Sequence, residues 1–106
     1  MKTIGSDLKL GINVENIGGD LHLADCEFQV TFFTSKSKKV TIDKKDLIKV
    51  DDDNYVATIN SNDVGIGILN MTMELFIPDH DFIDGYRREI NTVCTGVTIQ
   101  NLNVIN

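Results

Sequence analysis

The chain has no tryptophan, one proline, two cysteines and two histidines. Each shortage removes a class of protein. A single proline argues against a proline-rich linker or a disordered tail. Without Trp, and with Tyr55 and Tyr86 as the polar aromatics, there is little flat ring surface for stacking on sugars, so a carbohydrate-binding or adhesin module is the lesser reading. His22 and His80 are not surrounded by a nucleophile elbow or an active-site cysteine signature. Two lone histidines and two strand cysteines also lack the paired spacing of zinc ligands. Gly65 and Gly67 are not followed by the further glycine and long helix of a dinucleotide loop. The residues predict no catalytic group, no metal ligand and no cofactor, and leave a small hydrolase without a residue set.

Positive charge is also scarce. Ten Lys and Arg face sixteen Asp and Glu, a net charge of −6, which repels a phosphate backbone. The basic cluster Lys36, Lys38, Lys39, followed by Lys44 and Lys45, reads as a solvated hairpin tip, and no nucleic-acid partner is expected. Asp51, Asp52 and Asp53, and again Asp79, Asp81 and Asp84, offer the hard oxygens that calcium takes, but without EF-hand spacing. The simpler reading is of shaped turns in which carboxylates accept nearby backbone N–H groups and Gly85 adopts a left-handed conformation. Phe82 is then expected to fold back as an apolar plug.

Met1 to Asp7 contains no apolar stretch of signal-peptide length, and no run elsewhere is fit to span a membrane. The expectation is synthesis in the cytoplasm with no membrane partner. Cys26 and Cys94 lie 68 positions apart, a separation compatible with an inter-sheet disulfide, but the tryptophan that packs on such a bridge is missing. Both are read as reduced thiols buried in apolar strands.

What the chain does have is alternation. Hydrophobic residues at 42% and charged residues at 25% over 106 positions describe one globular domain with a thin core. Leu8, Leu10, Ile12 and Val14 share one face of a strand; Cys26, Phe28, Val30 and Phe32 share another, with Phe33 on the opposite side. Leu69, Met71, Met73 and Leu75 alternate with Asn70, Thr72 and Glu74, and after Pro78 and the acidic loop a strand rich in β-branched residues returns over 87–99. Shorter strands are expected at 39–42 and 55–59, and Ser61 or Asn62 can cap one short helical turn. About seven strands with turns every ten residues or so predict an all-β fold, a β-sandwich with at most one short helical turn; a closed barrel is the alternative.

Asn54–Ile59, the corner Asn62–Leu69, the segment Ile77–Ile90 with its proline-aspartate loop, and Thr95–Ile99 together resemble the small immunoglobulin-like sandwich modules of tailed-phage virion proteins. The resemblance spans most of the chain and its motifs are structural. It implies an immunoglobulin-like β-sandwich and a virion location, with other capsid or tail subunits as partners. Related modules look like N-terminal pieces of baseplate and tail-fibre proteins. This chain stops where the module stops, which suggests an auxiliary capsid or head-decoration subunit ahead of a tail or baseplate adaptor. Residues 1–6 and 100–106 are expected to be extended arms that add strands to neighbours or to a second copy, with Leu102, Val104 and Ile105 as the apolar part of the second arm.

Overall fold

The computed structural model describes residues 1–14, 17–34 and 38–101. Eight strands run through them: β1 (Lys2–Thr3), β2 (Asp7–Asn13), β3 (Glu27–Phe33), β4 (Lys39–Asp43), β5 (Ile48–Lys49), β6 (Asn54–Asn60), β7 (Gly67–Pro78) and β8 (Tyr86–Gln100). They form two sheets, one of five strands in the order β1-β8-β7-β3-β4 and one of three in the order β2-β6-β5. The chain is all-β, as its alternation predicts. Eight strands stand against the expected seven or so, and β1 and β5, of two residues each, are too short to carry a readable period.

The expected strand faces hold. Leu8, Leu10 and Ile12 are buried from β2, Phe28, Val30 and Phe32 from β3, and Leu69, Met73 and Leu75 from β7, with Met71 and Val14 packed at the margin. Register explains why they meet: Phe28 lies opposite Leu75, Val30 opposite Met73 and Phe32 opposite Met71. From the small sheet, Tyr55, Ala57 and Ile59 of β6 close on the same core. Phe28 and Tyr55 meet edge to face, their centroids 5.1 Å apart and rings at 82°, an arrangement that adds roughly 0.5–1.5 kcal/mol beyond the buried area.

The outer face of the large sheet is polar by the same alternation. Register sets Thr41, Thr31, Thr72 and Thr92 in one row across β4, β3, β7 and β8. Their hydroxyls pair at 2.9 Å (Thr31 with Thr41) and 2.8 Å (Thr72 with Thr92), cross-strand bonds that suit a solvated face. Phe33 lies on this outer side, half-buried between its register neighbours Lys39 and Asn70.

Among the described residues three single turns of 3-10 helix occur, at Leu23–Asp25, Lys44–Asp46 and Ser61–Asp63, where at most one short turn is predicted. Three residues are too few to display a helical period, which is why two of them escape notice. The expected turn after β6 is present with a different cap. The side chain of Asn60 accepts the Asn62 N–H at 2.9 Å, and Ser61, fully buried, instead accepts the N–H of Gly5 at 2.8 Å.

That bond belongs to the corner where the chain crosses between sheets. Residues 1–6, expected as an arm, are laid into the fold: Lys2 pairs with Ile99 and Thr3 with Gln100, parallel to β8, and the Ile4 N–H donates to the Gln100 carbonyl at 2.7 Å. Gly5, at φ +96°, then turns the chain into β2. The expected arm residues Leu102, Val104 and Ile105, and Lys36 of the basic cluster, lie outside the described residues.

Cys26 is buried and Cys94 exposed, both as free thiols. The buried position expected for Cys94 is corrected: it sits on the outer face of β8 opposite Asn70, where alternation supplies an apolar-looking slot but no covering layer. Burial raises the Cys26 thiol above its ordinary pKa and slows its reaction with alkylating reagents. A thiol-reactive dye is expected to label one site, Cys94, in the native protein, and both sites after denaturation. Two native labels, or a fresh sample two mass units lighter than the dithiol form, would contradict this arrangement.

Candidate functional site

The edge strands of a sheet are where backbone N–H and C=O groups remain unpaired, so the edges of the two sheets decide what the surface can add. β5 is two residues long. β4 carries Lys39 and Asp43 at its ends, and β2 carries Asp7 and Lys9; charge and shortness of this kind blunt an edge. β8 differs. It pairs with β7 along its length but with β1 only at Ile99 and Gln100, so from Tyr86 to Thr98 one side has no strand partner among the described residues. The first half of that edge is guarded by Arg87, Arg88 and Glu89. The stretch Asn91–Val97 has no charged side chain at all.

The open side of β8 faces the open side of β2 across a groove of about 450 Å³. Lys9, Leu10, Gly11 and Asn13 form one wall and Val93, Cys94, Thr95 and Val97 the other; Phe32 and Met71 form the floor. Val93 is 49% exposed there. A bulge shapes the β8 wall: Ile68 pairs with Thr98 but Asn70 pairs with Cys94, so two extra residues are accommodated opposite Leu69. Gly96 takes φ +83° within it, and the Thr95 hydroxyl donates to the Leu69 carbonyl at 2.9 Å. Gly11, in the middle of β2, would meet nothing within 4 Å if it carried a Cβ. Packing therefore does not require a glycine at this outward-facing position.

Both ends of β8 are tied across to the rest of the molecule, which keeps the gap between them in shape. At the far end β1 and the Gly5–Ser61 corner close it. Near the hairpin, Arg87 donates to the Ile17 carbonyl at 3.2 Å, to Asp79 at 3.1 Å and to Glu89 at 2.9 Å. Arg88 pairs with Glu74 on the outer face.

The acidic clusters spend their oxygens locally, as the turn reading predicts. Asp51 accepts from the Asp53 N–H at 2.9 Å and from the Asn54 amide at 2.8 Å, and these bonds, the backbone one first, hold its carboxyl below the ordinary range. Asp79 accepts from the Asp81 N–H at 3.0 Å, Asp84 from the Tyr86 N–H at 3.2 Å, and Gly85 sits at φ +83°. Among the described residues no three His, Cys, Asp or Glu side chains converge on a point fit for a metal ion. The plug at Phe82 is corrected: it is 47% exposed and Ile83 is fully exposed, because the hairpin tip has no neighbouring layer to fold onto.

His22 is a surface residue whose ring lies 3.1 Å from Asp53. The hydrogen bond to Asp53, and then its charge, raise the imidazole pKa above 6.5. The linkage therefore favours the fold below the unfolded pKa and disappears as pH rises through the folded one. His80 is exposed in the hairpin loop. Lys44, counted in the basic cluster, is used inside the molecule: its ammonium donates to the carbonyls of Ala24 and Cys26, each at 2.7 Å, and lies 5.8 Å from the Phe28 ring centre. Gly65 and Gly67 adopt φ of +83° and +133° at the corner before β7, as expected of a backbone turn.

The groove residues Lys9, Gly11, Val93 and Thr95 did not stand out in the sequence. The uncharged run Asn91–Val97 is the one sequence feature that could have drawn attention to this edge. Comparison with protein-family models, curated proteins and solved structures gives no match for this chain.

Proposed function

We propose that this chain is a non-enzymatic structural subunit of a phage virion, an auxiliary capsid or head-decoration protein first and a tail or baseplate adaptor second. In this reading the two sheets are those of an immunoglobulin-like sandwich left open between β2 and β8. The observation that carries it is the uncharged edge Asn91–Val97, which has no strand partner on one side among the described residues and lies across a groove from β2. Such an edge is a hazard for a protein that works alone and an asset for one that works by joining others. Repeated assembly through sheet edges needs a rigid body, which the shared core provides.

The carbohydrate-binding alternative is weakened by the fate of the aromatics. Tyr55 is buried against Phe28, leaving Tyr86 as the exposed tyrosine, too little for a stacking platform. The test is composition of the particle. In density-banded virions from the strain that carries the gene, peptide mass spectrometry is expected to find this chain at the abundance of a structural protein. Its confinement to the soluble lysate, with banded particles free of it, would end the reading.

A further inference from the structure

We propose that Asp84 and Gly85, at the tip of the β7–β8 hairpin, form a covalent modification site: the pair isomerises through a succinimide, and the folded tip holds that reaction back.

Asp84 is the one aspartate in the chain that is followed by glycine, and no asparagine is. The order matters chemically. The backbone nitrogen of the following residue has to reach the carboxyl carbon, and a side chain on that residue crowds the approach. Glycine has none, and its backbone adopts conformations closed to other residues. The surroundings are open as well. Asp84 is exposed, and a Cβ on Gly85 would meet nothing within 4 Å, so water reaches both.

The reaction needs water alone. The Gly85 nitrogen attacks Cγ of the protonated Asp84 carboxyl; an N–Cγ bond forms, and the amide proton leaves with the carboxyl hydroxyl as one water. Water then opens the five-membered ring. Cleavage of the new N–Cγ bond restores aspartate, whereas cleavage of the original peptide bond leaves the main chain running through Cγ, with the α-carboxylate as its branch.

In the folded protein both reacting groups are occupied. The Gly85 N–H donates to the Phe82 carbonyl at 2.9 Å, and the Asp84 carboxylate accepts the Tyr86 N–H at 3.2 Å. Around them the Asp79 N–H donates to the Gly85 carbonyl at 2.8 Å, while the Asp79 carboxylate accepts from Asp81 at 3.0 Å and from Arg87 at 3.1 Å. Attack requires the carboxyl to swing from Tyr86 onto the Gly85 nitrogen, and that needs the tip to open. An exposed loop with few buried contacts opens locally at less cost than the whole fold. The isoaspartyl link adds one carbon to the main chain inside the loop that Asp79 and Gly85 close. The closing bond and the pairing of Pro78 with Tyr86 then no longer fit, so the change fixes the tip in its opened form.

The purified chain is incubated in mildly acidic buffer, native and in guanidinium chloride. Mass spectrometry of the peptide carrying residue 84 follows the form one water lighter, and an isoaspartate-specific methyltransferase counts the isomer. The unfolded chain is expected to gain isoaspartate at 84 faster than the native chain by about tenfold or more, the factor that two hydrogen bonds of ordinary net strength supply. Asp79→Ala, shown to be folded by thermal unfolding, should fall between, because it loses the anchors to Asp81 and Arg87 and keeps the reacting pair. Asp84→Glu, whose ring would have six members and closes slowly, should give none. Absence of isoaspartate at 84 from the unfolded chain removes the site. Equal rates in the native and unfolded chains, or in folded Asp79→Ala and the native chain, overturn the restraint by the tip.

Discussion

Phe32→Ala is expected to lower stability by about 3–5 kcal/mol, the range for removing a buried aromatic from a packed core. Phe32 is fully buried, lies opposite Val40 on one side and Met71 on the other, and forms the floor of the groove. A domain of this size has roughly 5–15 kcal/mol in total, so the variant should sit near the limit of folding. Urea unfolding measures the loss directly. Val93→Ala, on the adjoining wall but half exposed, serves as the control and should change stability by no more than about 0.5 kcal/mol. If Phe32→Ala costs as little as the control, the inner face of the large sheet has been assigned the wrong way round.

Lys44→Met should cost about 1.5–3 kcal/mol, the worth of hydrogen bonds made by a charged donor. Methionine keeps most of the aliphatic stem, so the loss isolates the ammonium. Without it the carbonyls of Ala24 and Cys26 lose a donor that now sits 2.7 Å from each, and the Phe28 ring loses its cation. These partners join the 3-10 turn at Leu23–Asp25 to the one at Lys44–Asp46, two elements with no sheet bonds between them. Neighbouring Lys45 is exposed, and Lys45→Met should be neutral within about 0.5 kcal/mol. Equal, small effects at both positions would return Lys44 to the solvated basic cluster.

The contrast between these lysines shows what a linear pattern leaves open. Adjacent residues of the same type have opposite fates, and nothing local separates them. The pinning carbonyls come from positions 24 and 26, some twenty residues earlier, and the approach is fixed by how β3 and β4 pair. The same limit explains Cys94 and Phe82. Each occupies a place in a pattern that reads as inward, and each is exposed because no second layer reaches it.

The sequence by itself determined the all-β class, the inward faces of β2, β3 and β7, and the glycine and aspartate turns at 51–54, 65–67 and 79–85. Those follow from the two-residue period of a strand and from the local backbone preferences of glycine and aspartate, and neither needs a distant partner. Only the tertiary structure decided which faces are covered and which edges are paired. Coverage depends on how side chains of the three-stranded sheet and the five-stranded one meet in a shared core. Pairing depends on β1 taking two residues of β8 and leaving the rest, a contact made across almost the whole length of the chain. The groove between β2 and β8 exists because those two long-range placements leave a gap, and a gap is a property of what lies apart in sequence.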